Sequence, residues 1–291
     1  MPLLGQDFFG SLKQRVAILG PGLIGGSLAL ALSRDCSPYQ ISVWARSGSS
    51  AAAAAARLPA CHVSTDPEEV LGNVSAAVFC MNPEAIMHCA GLFAGFVPAD
   101  AAVTDAGSVK AGISASLKKL FGGRFVGAHP MAGSEESGIL AARADLFESA
   151  LCILTPDDAA HPQAAARIEA LWTSAGCRLH HMTPAAHDAA MARISHLPHA
   201  VASALVQAAL AGAPGRNQLA GGGYRDSTRI AAGPPGLWTE IFLANKSELS
   251  TALADVQERL ETLRGAIETG DRQAVLDFLT LSQSLRSTTH S

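Results

Sequence analysis

"RVAILGPGLIGGSLALALS", residues 15–33, decides the architecture. Val16 to Leu19 form a short β-branched and apolar run that stops at spaced glycines, Gly20, Gly22 and Gly25, and the residues beyond are helix formers. The pattern reads strand, glycine turn, helix. The same rhythm runs outward through "QISVWA" (40–45), "SSAAAAAARL", "CHVS", "DPEEVLG", "AAVFCMNP" (76–83), "AAVTDAGS" (101–108), "FVGAHP" and "ALCILTP" (150–156). Strands alternating with helices predict an α/β domain built on a parallel sheet covered on both faces. Within it "DPEEV" is a helix start, with Asp66 as cap, Pro67 in the first turn and Glu68 and Glu69 suited to the helix dipole.

From Pro184 onward no strand pattern is found. Three long stretches, "AAHDAAMARISHLPHAVASALVQAAL", "LWTEIFLANKSELSTALADVQERLETLRGAIE" and "DRQAVLDFLTLSQSL", repeat apolar residues at three and four, as helices packing on one another require. Between the first two lies "AGAPGRNQLAGGGYRDSTRIAAGPPG", read as a loop from its glycines and prolines. The chain is therefore expected to be a Rossmann-like domain over 1–183 followed by an all-helical domain over 184–291.

Composition bounds the partners. With 291 residues, 48% hydrophobic and 16% charged, the chain can bury a large core. A formal net charge of −4 and no basic cluster give no footprint for nucleic acid or an anionic membrane. The apolar segments break before bilayer-spanning length, and the N-terminus lacks a signal peptide's basic start and apolar core, so a cytoplasmic location is expected. Cysteines 36, 61, 80, 89, 152 and 177 form no C-x-x-C pair and read as reduced.

The glycine turn fits G-x-G-x-x-G with a strand before it and a helix after. Gly20 allows the tight turn, Gly22 lets a pyrophosphate approach the backbone, and Gly25 permits close helix–strand packing. Amides at the helix start, at Leu23 and Ile24, then face the phosphates. Met81, Asn82, Asp105 and Gly107, at two further strand ends, join the expected cofactor-binding set. Where an acidic residue would accept the ribose hydroxyls of NAD, "VWARSGSS" has Ala45, followed by Arg46, Ser47 and Ser49. A missing carboxylate and a nearby guanidinium favour the 2′-phosphate of NADP, with NAD the alternative.

"GAHPMAGSEESG" (127–138) supplies His129 just past a strand end, where a nicotinamide enzyme needs a group to manage a proton. Ser108, at another strand end, is placed to hold the imidazole in one tautomer. His196 and His199 in "SHLPH" are three apart on one helix and so share a face. Metal binding competes for that pair, but no carboxylate follows in a zincin pattern, and no metal is expected.

In combination these segments resemble the prephenate and arogenate dehydrogenase family of tyrosine biosynthesis. The likeness runs through "GPGLIGGS", "TDAGSVK", "GAHPMAGSE", "ISHLPHAVASAL", "GGGYRDSTRIA" and "LWTEIFLANK". The resemblance implies NAD(P)-dependent oxidative decarboxylation of a cyclohexadienyl acid, with His129 bonding the ring hydroxyl and helping remove its proton. It implies that Ser108 orients that histidine and approaches the nicotinamide, and that Ser134, Glu135, His196 and His199 line the substrate pocket. Arg229 would grip a substrate carboxylate. Arg225 is the other candidate, or a structural ion-pair partner, and Trp238 is either a pocket wall or core. It further implies a homodimer through the helical domain, with the glycine-rich loop near Gly222 directed at the partner's site. Two rivals share the layout: a β-hydroxyacid dehydrogenase or imine reductase, and a non-catalytic NADP sensor. Against the hydroxyacid enzymes, "TPAAHDAAMARISHLPH" has no lysine.

Overall fold

A computed structural model describes residues 13–134, 136–212 and 214–288. Its strands are β1 (Gln14–Leu19), β2 (Tyr39–Trp44), β3 (His62–Ser64), β4 (Ala76–Phe79), β5 (Ala102–Asp105), β6 (Gly127–Pro130), β7 (Leu151–Thr155) and β8 (Arg178–His181). Helices α1 (Leu23–Leu32), α2 (Gly48–Arg57), α3 (Pro67–Leu71), α4 (Pro83–Phe93), α5 (Ala111–Phe121) and α6 (Pro162–Ser174) alternate with them. Beyond lie α7 (Pro184–Met191), α8 (Leu197–Leu210), α9 (Gly222–Thr228), α10 (Pro235–Ala244), α11 (Lys246–Thr269) and α12 (Arg272–Ser287). The chain is a Rossmann-like α/β domain followed by an all-helical one.

Strands pair in parallel in the order β3-β2-β1-β4-β5, and a second sheet runs β6-β7-β8. Alternate residues of β1 enter two cores: Val16 and Ile18 join the layer under α1 and α6, whereas Ala17 and Leu19 join the one under α4 and α5. Burial on both faces explains the unbroken apolar run that marks this strand in the sequence. Asp66 caps α3 as expected, its side chain accepting the Glu68 N–H at 2.8 Å. The all-parallel expectation fails at one place: β7 runs antiparallel to β6. Between them the chain packs on α1, where Ile139 and Ala142 lie against Gly26.

Three further departures concern the helical half. The stretch read as a loop contains α9 and short helical turns at Arg216–Leu219 and Arg229–Ala232. The first long helical stretch passes through a π-turn at Ala192–His196. The second breaks at Asn245, between α10 and α11. Ile241 of α10 belongs to the core beside α4, with Trp238 and Phe242 packed against it, so this helix seats the helical domain on the sheet domain. None of the described helices is long and apolar enough to cross a membrane.

Candidate active site

The C-terminal ends of β1, β4, β5 and β6 open into a two-lobed cleft, where open α/β sheets place ligands. One lobe, of about 640 Å³, is walled by the glycine turn, by His129 and by the helical domain. The other, of about 550 Å³, runs from Gly20 toward the end of β2. Gly22, Cys80, Met81, Asn82 and Gly138 line both, which makes the lobes continuous.

At the turn, Gly20 has φ +103°, and a Cβ there would strike the Cys80 carbonyl oxygen. A Cβ at Gly25 would strike the Gly20 carbonyl, so this glycine is a packing position and does not line the cleft. Nothing lies within 4 Å of a Cβ placed on Gly22, and this open approach leads to the first amides of α1. Leu23 and Ile24 line the first lobe. The cradle fits a pyrophosphate against a helix N-terminus.

In the second lobe Arg46 and Ser49 sit with Trp44 and Ser50. Ser47, expected beside them, instead caps α2 by accepting the Ser50 N–H at 3.2 Å. Ala45 is fully buried. Asn82 caps α4 through Ala85 N–H at 2.9 Å and donates to Glu240 Oε1 at 2.8 Å, tying the α/β domain to α10 at the cleft edge. Asp105 does not reach the cleft. It is buried with Lys110 as an ion pair, and its oxygens also accept Gly107 N–H at 2.9 Å and Ala128 N–H at 3.2 Å. A carboxylate with so many internal donors bridges β5 to β6 and has no need of a ligand.

His129 is only 8% exposed yet lines the first lobe with Gly107, Ser108 and Ser134. Its Nδ1 lies 2.8 Å from His187 Nε2, and Ser108 lines the same lobe. His187 Nδ1 lies 2.7 Å from Asp188 Oδ1. Burial foremost, then the neighbouring His187, Lys110 and His196, holds the His129 imidazole well below the ordinary histidine value, and the ring is neutral at pH 7. Burial also pushes His196 down to about 4, against the opposing pull of Asp188. For Asp188, burial would raise the carboxyl, but the His187 hydrogen bond and the N–H groups of Ala111 and Lys110 outweigh it and hold it low.

From the helical domain come His196, Arg229 and Trp238. His199 does not join them: it is stacked on Trp238 at 3.6 Å between ring centroids and does not line the cavity. Both histidines meet Trp238, His196 edge-on at 6.4 Å and His199 stacked, so they share a face as the i, i+3 spacing predicts, and only His196 reaches the cavity. Trp238 is thus both wall and packing partner. Gly222 and Arg225, on exposed α9, do not line the cleft of their own chain. Glu135 lies outside the described residues, and its neighbours Ser134 and Glu136 line the lobe in a turn pinned by Ser134 Oγ. Among the described residues no group of three or more His, Cys, Asp or Glu could hold a metal ion.

Sequence reading passed over His187, Asp188 and Asn245. The "HD" pair in "AAHDAAM" and the asparagine interrupting "LANK" were the available signals.

A Rossmann-like domain whose glycine turn shares a cleft with a buried histidine, closed by helices bearing an arginine, defines the two-domain dehydrogenase class. The prephenate dehydrogenase nucleotide-binding domain matches residues 28–181, and the prephenate dehydrogenase dimerization domain matches residues 183–281. The chain belongs to the prephenate dehydrogenase family. It is similar to the cyclohexadienyl dehydrogenase of Zymomonas mobilis, 32% identical over 279 residues that cover 94% of this chain and 95% of that one. Two solved structures superpose along nearly its whole length. Prephenate dehydrogenase from A. aeolicus in complex with hydroxyphenyl propionate and NAD+ has a TM-score of 0.88 and 30% identity, covering 95% of this chain and 98% of the other. Synechocystis arogenate dehydrogenase has a TM-score of 0.81 and 29% identity, covering 95% and 100%.

Proposed function

We propose that this protein is an NADP-favouring dehydrogenase that oxidatively decarboxylates prephenate to 4-hydroxyphenylpyruvate, arogenate to tyrosine, or both. Its nucleotide-binding unit spans 1–183 and its substrate and dimerisation unit 184–291. The observation that carries the reading is His129, a buried neutral imidazole opening into the same cavity as the glycine turn and Arg229.

The open cradle at Gly22 and the start of α1 holds the pyrophosphate, and Arg46, Ser49 and Ser50 line the lobe that takes the adenosine end. Bound there, the oxidised nicotinamide supplies the hydride acceptor. His129 takes the proton of the substrate's ring hydroxyl as that carbon becomes a carbonyl. Arg229 pairs with a substrate carboxylate, and Trp238, Leu237 and Ile241 keep water from the ring. Loss of carbon dioxide aromatises the ring and makes the step effectively irreversible. Initial rates with prephenate and arogenate, each with NAD and NADP, test the assignment. Turnover of either acid establishes it, and folded, dinucleotide-binding protein silent in all four combinations overturns it.

Cofactor choice is tested at Arg46. A guanidinium on the 2′-phosphate contributes about 1.5–3 kcal/mol, so Arg46→Ala should lower kcat/KM with NADP by about 10- to 100-fold. The value with NAD should stay within about twofold. Equal losses with both cofactors would remove Arg46 from 2′-phosphate recognition.

Dimerisation is supported by apolar surface. Beyond Ala252 no residue of α11 is buried, and none of α12 is. Leu260, Ile267, Leu276, Leu279 and Leu285 are 53–61% exposed. Faces of this kind mark an interface. Light scattering should give a dimer, and Leu276→Glu with Leu279→Glu should shift it to monomer and lower Tm by about 5 °C or more. A monomeric parent protein would defeat the assignment.

A further inference from the structure

Asp188 stands where three elements meet, and none of its contacts is needed by the chemistry assigned so far. Its Oδ1 accepts the Lys110 N–H at 2.7 Å and its Oδ2 the Ala111 N–H at 2.8 Å, at the start of α5. Its backbone carbonyl accepts from Asn245 Nδ2 at 2.8 Å, and that same nitrogen is 3.2 Å from His196 Nδ1. The fully buried ring of His187 spans the gap between this carboxylate and His129.

We propose that His187 and Asp188 are a positioning relay that holds His129 in the tautomer whose Nε2 is bare and faces the cleft. The proposal rests on His129 being the proton acceptor. Both Asp188 oxygens already accept backbone N–H groups, so the ionised carboxylate can only accept from His187 as well, and His187 Nδ1 carries the hydrogen. With its one hydrogen at Nδ1, His187 presents a lone pair at Nε2, 2.8 Å from His129 Nδ1. His129 must donate there. A neutral imidazole has one N–H, so its other nitrogen is left bare. When Nε2 takes the substrate proton, the imidazolium keeps its Nδ1 hydrogen bond, and the fixed negative charge of Asp188, one ring away, stabilises it. No reorientation is required during the reaction, because α5 and Asn245 hold Asp188 from opposite sides.

The relay is separable from packing. His187→Leu fills similar space but cannot accept a hydrogen bond, whereas the carbonyl oxygen of His187→Gln can still accept the His129 Nδ1 hydrogen. In the full-length chain, His187→Leu should lower kcat by about 10²-fold, and His187→Gln should recover about tenfold of that loss. Dinucleotide Kd should stay within about twofold of wild type in both. Asp188→Asn keeps a carbonyl oxygen that can accept from the Lys110 N–H and His187 Nδ1 but removes the negative charge that stabilises the imidazolium. Its kcat should fall about tenfold, with the acid limb of the kcat–pH profile displaced to lower pH because the imidazolium is destabilised. Equal kcat in His187→Leu and His187→Gln would overturn the relay. So would wild-type kcat in a dinucleotide-binding Asp188→Asn protein, which decides the matter if His187→Leu does not fold. If His129→Asn itself retains turnover, the assignment of His129 fails first, and the relay falls with it.

Discussion

His129→Asn is expected to lower kcat by about 10³-fold while leaving dinucleotide affinity within about twofold of wild type. Asparagine keeps a hydrogen-bonding group of similar reach at the end of β6, so the wall of the cleft survives. It has no nitrogen lone pair to take a proton near neutral pH. The cofactor cradle at Gly20 and Gly22 is formed by β1, α1 and the Cys80 segment, none of which leans on the imidazole. Intrinsic fluorescence titration with NADP and NAD, beside steady-state rates, separates the two effects. A pH signature accompanies them in the parent enzyme. As the proposed proton acceptor the imidazole must be neutral, and in the folded protein burial and the neighbouring His187, Lys110 and His196 hold its pKa well below 6.5. Activity should therefore persist as pH falls through 6.5 and be lost only at lower pH, as His129 protonates. An acid limb at or above pH 6.5 would show that another group controls the rate. Retained turnover in His129→Asn would move the proton acceptor elsewhere in the cleft.

The parts of this arrangement that the sequence discloses are those fixed by local backbone rules. The glycine turn is legible because a tight turn, an open approach and a close packing each exclude a Cβ for a local reason, and Gly20, Gly22 and Gly25 meet those reasons in order. His129 is legible because a strand end is a known place for ligands. Partners supplied from far along the chain are not legible. His187 is 58 residues from the ring it holds, and Asp188 is 78 from the Lys110 amide it accepts, so no local spacing links them. Asp105 was misplaced by the same local rule that found His129, since a strand-end carboxylate can turn inward when a lysine waits there. His196 and His199 share a face and both meet Trp238, and spacing alone does not tell which of the two reaches the cavity. Asn245 looked like one polar residue inside a continuous helix, but it ends α10 and reaches back to Asp188.

Arg229→Leu is expected to lower kcat/KM for the ring substrate by about 10²- to 10³-fold, mostly through KM. The substrate of this family is an anion, and the chain carries a net charge of −4, so attraction must come from a local cation. Arg229 begins the turn Arg229–Ala232 and lines the first lobe, within the same wall as Trp238 and His196. With His129 and His196 both held neutral at pH 7, Arg229 is the cation that lines the first lobe among the described residues. A carboxylate taken out of water without that partner forfeits about 2–5 kcal/mol, because its hydration is lost and nothing replaces it. Arg229→Lys keeps the charge but not the two-pronged geometry, and should fall between wild type and leucine. Arg225→Leu is the control, since that side chain is exposed on α9 outside the lining of its own cleft. It should stay within about threefold of wild type, a range ordinary for a surface change. Equal losses at the two arginines would end the assignment of the carboxylate to Arg229 alone, whereas the ordered series from wild type through lysine to leucine at 229, with Arg225→Leu near wild type, places the anion beside Trp238.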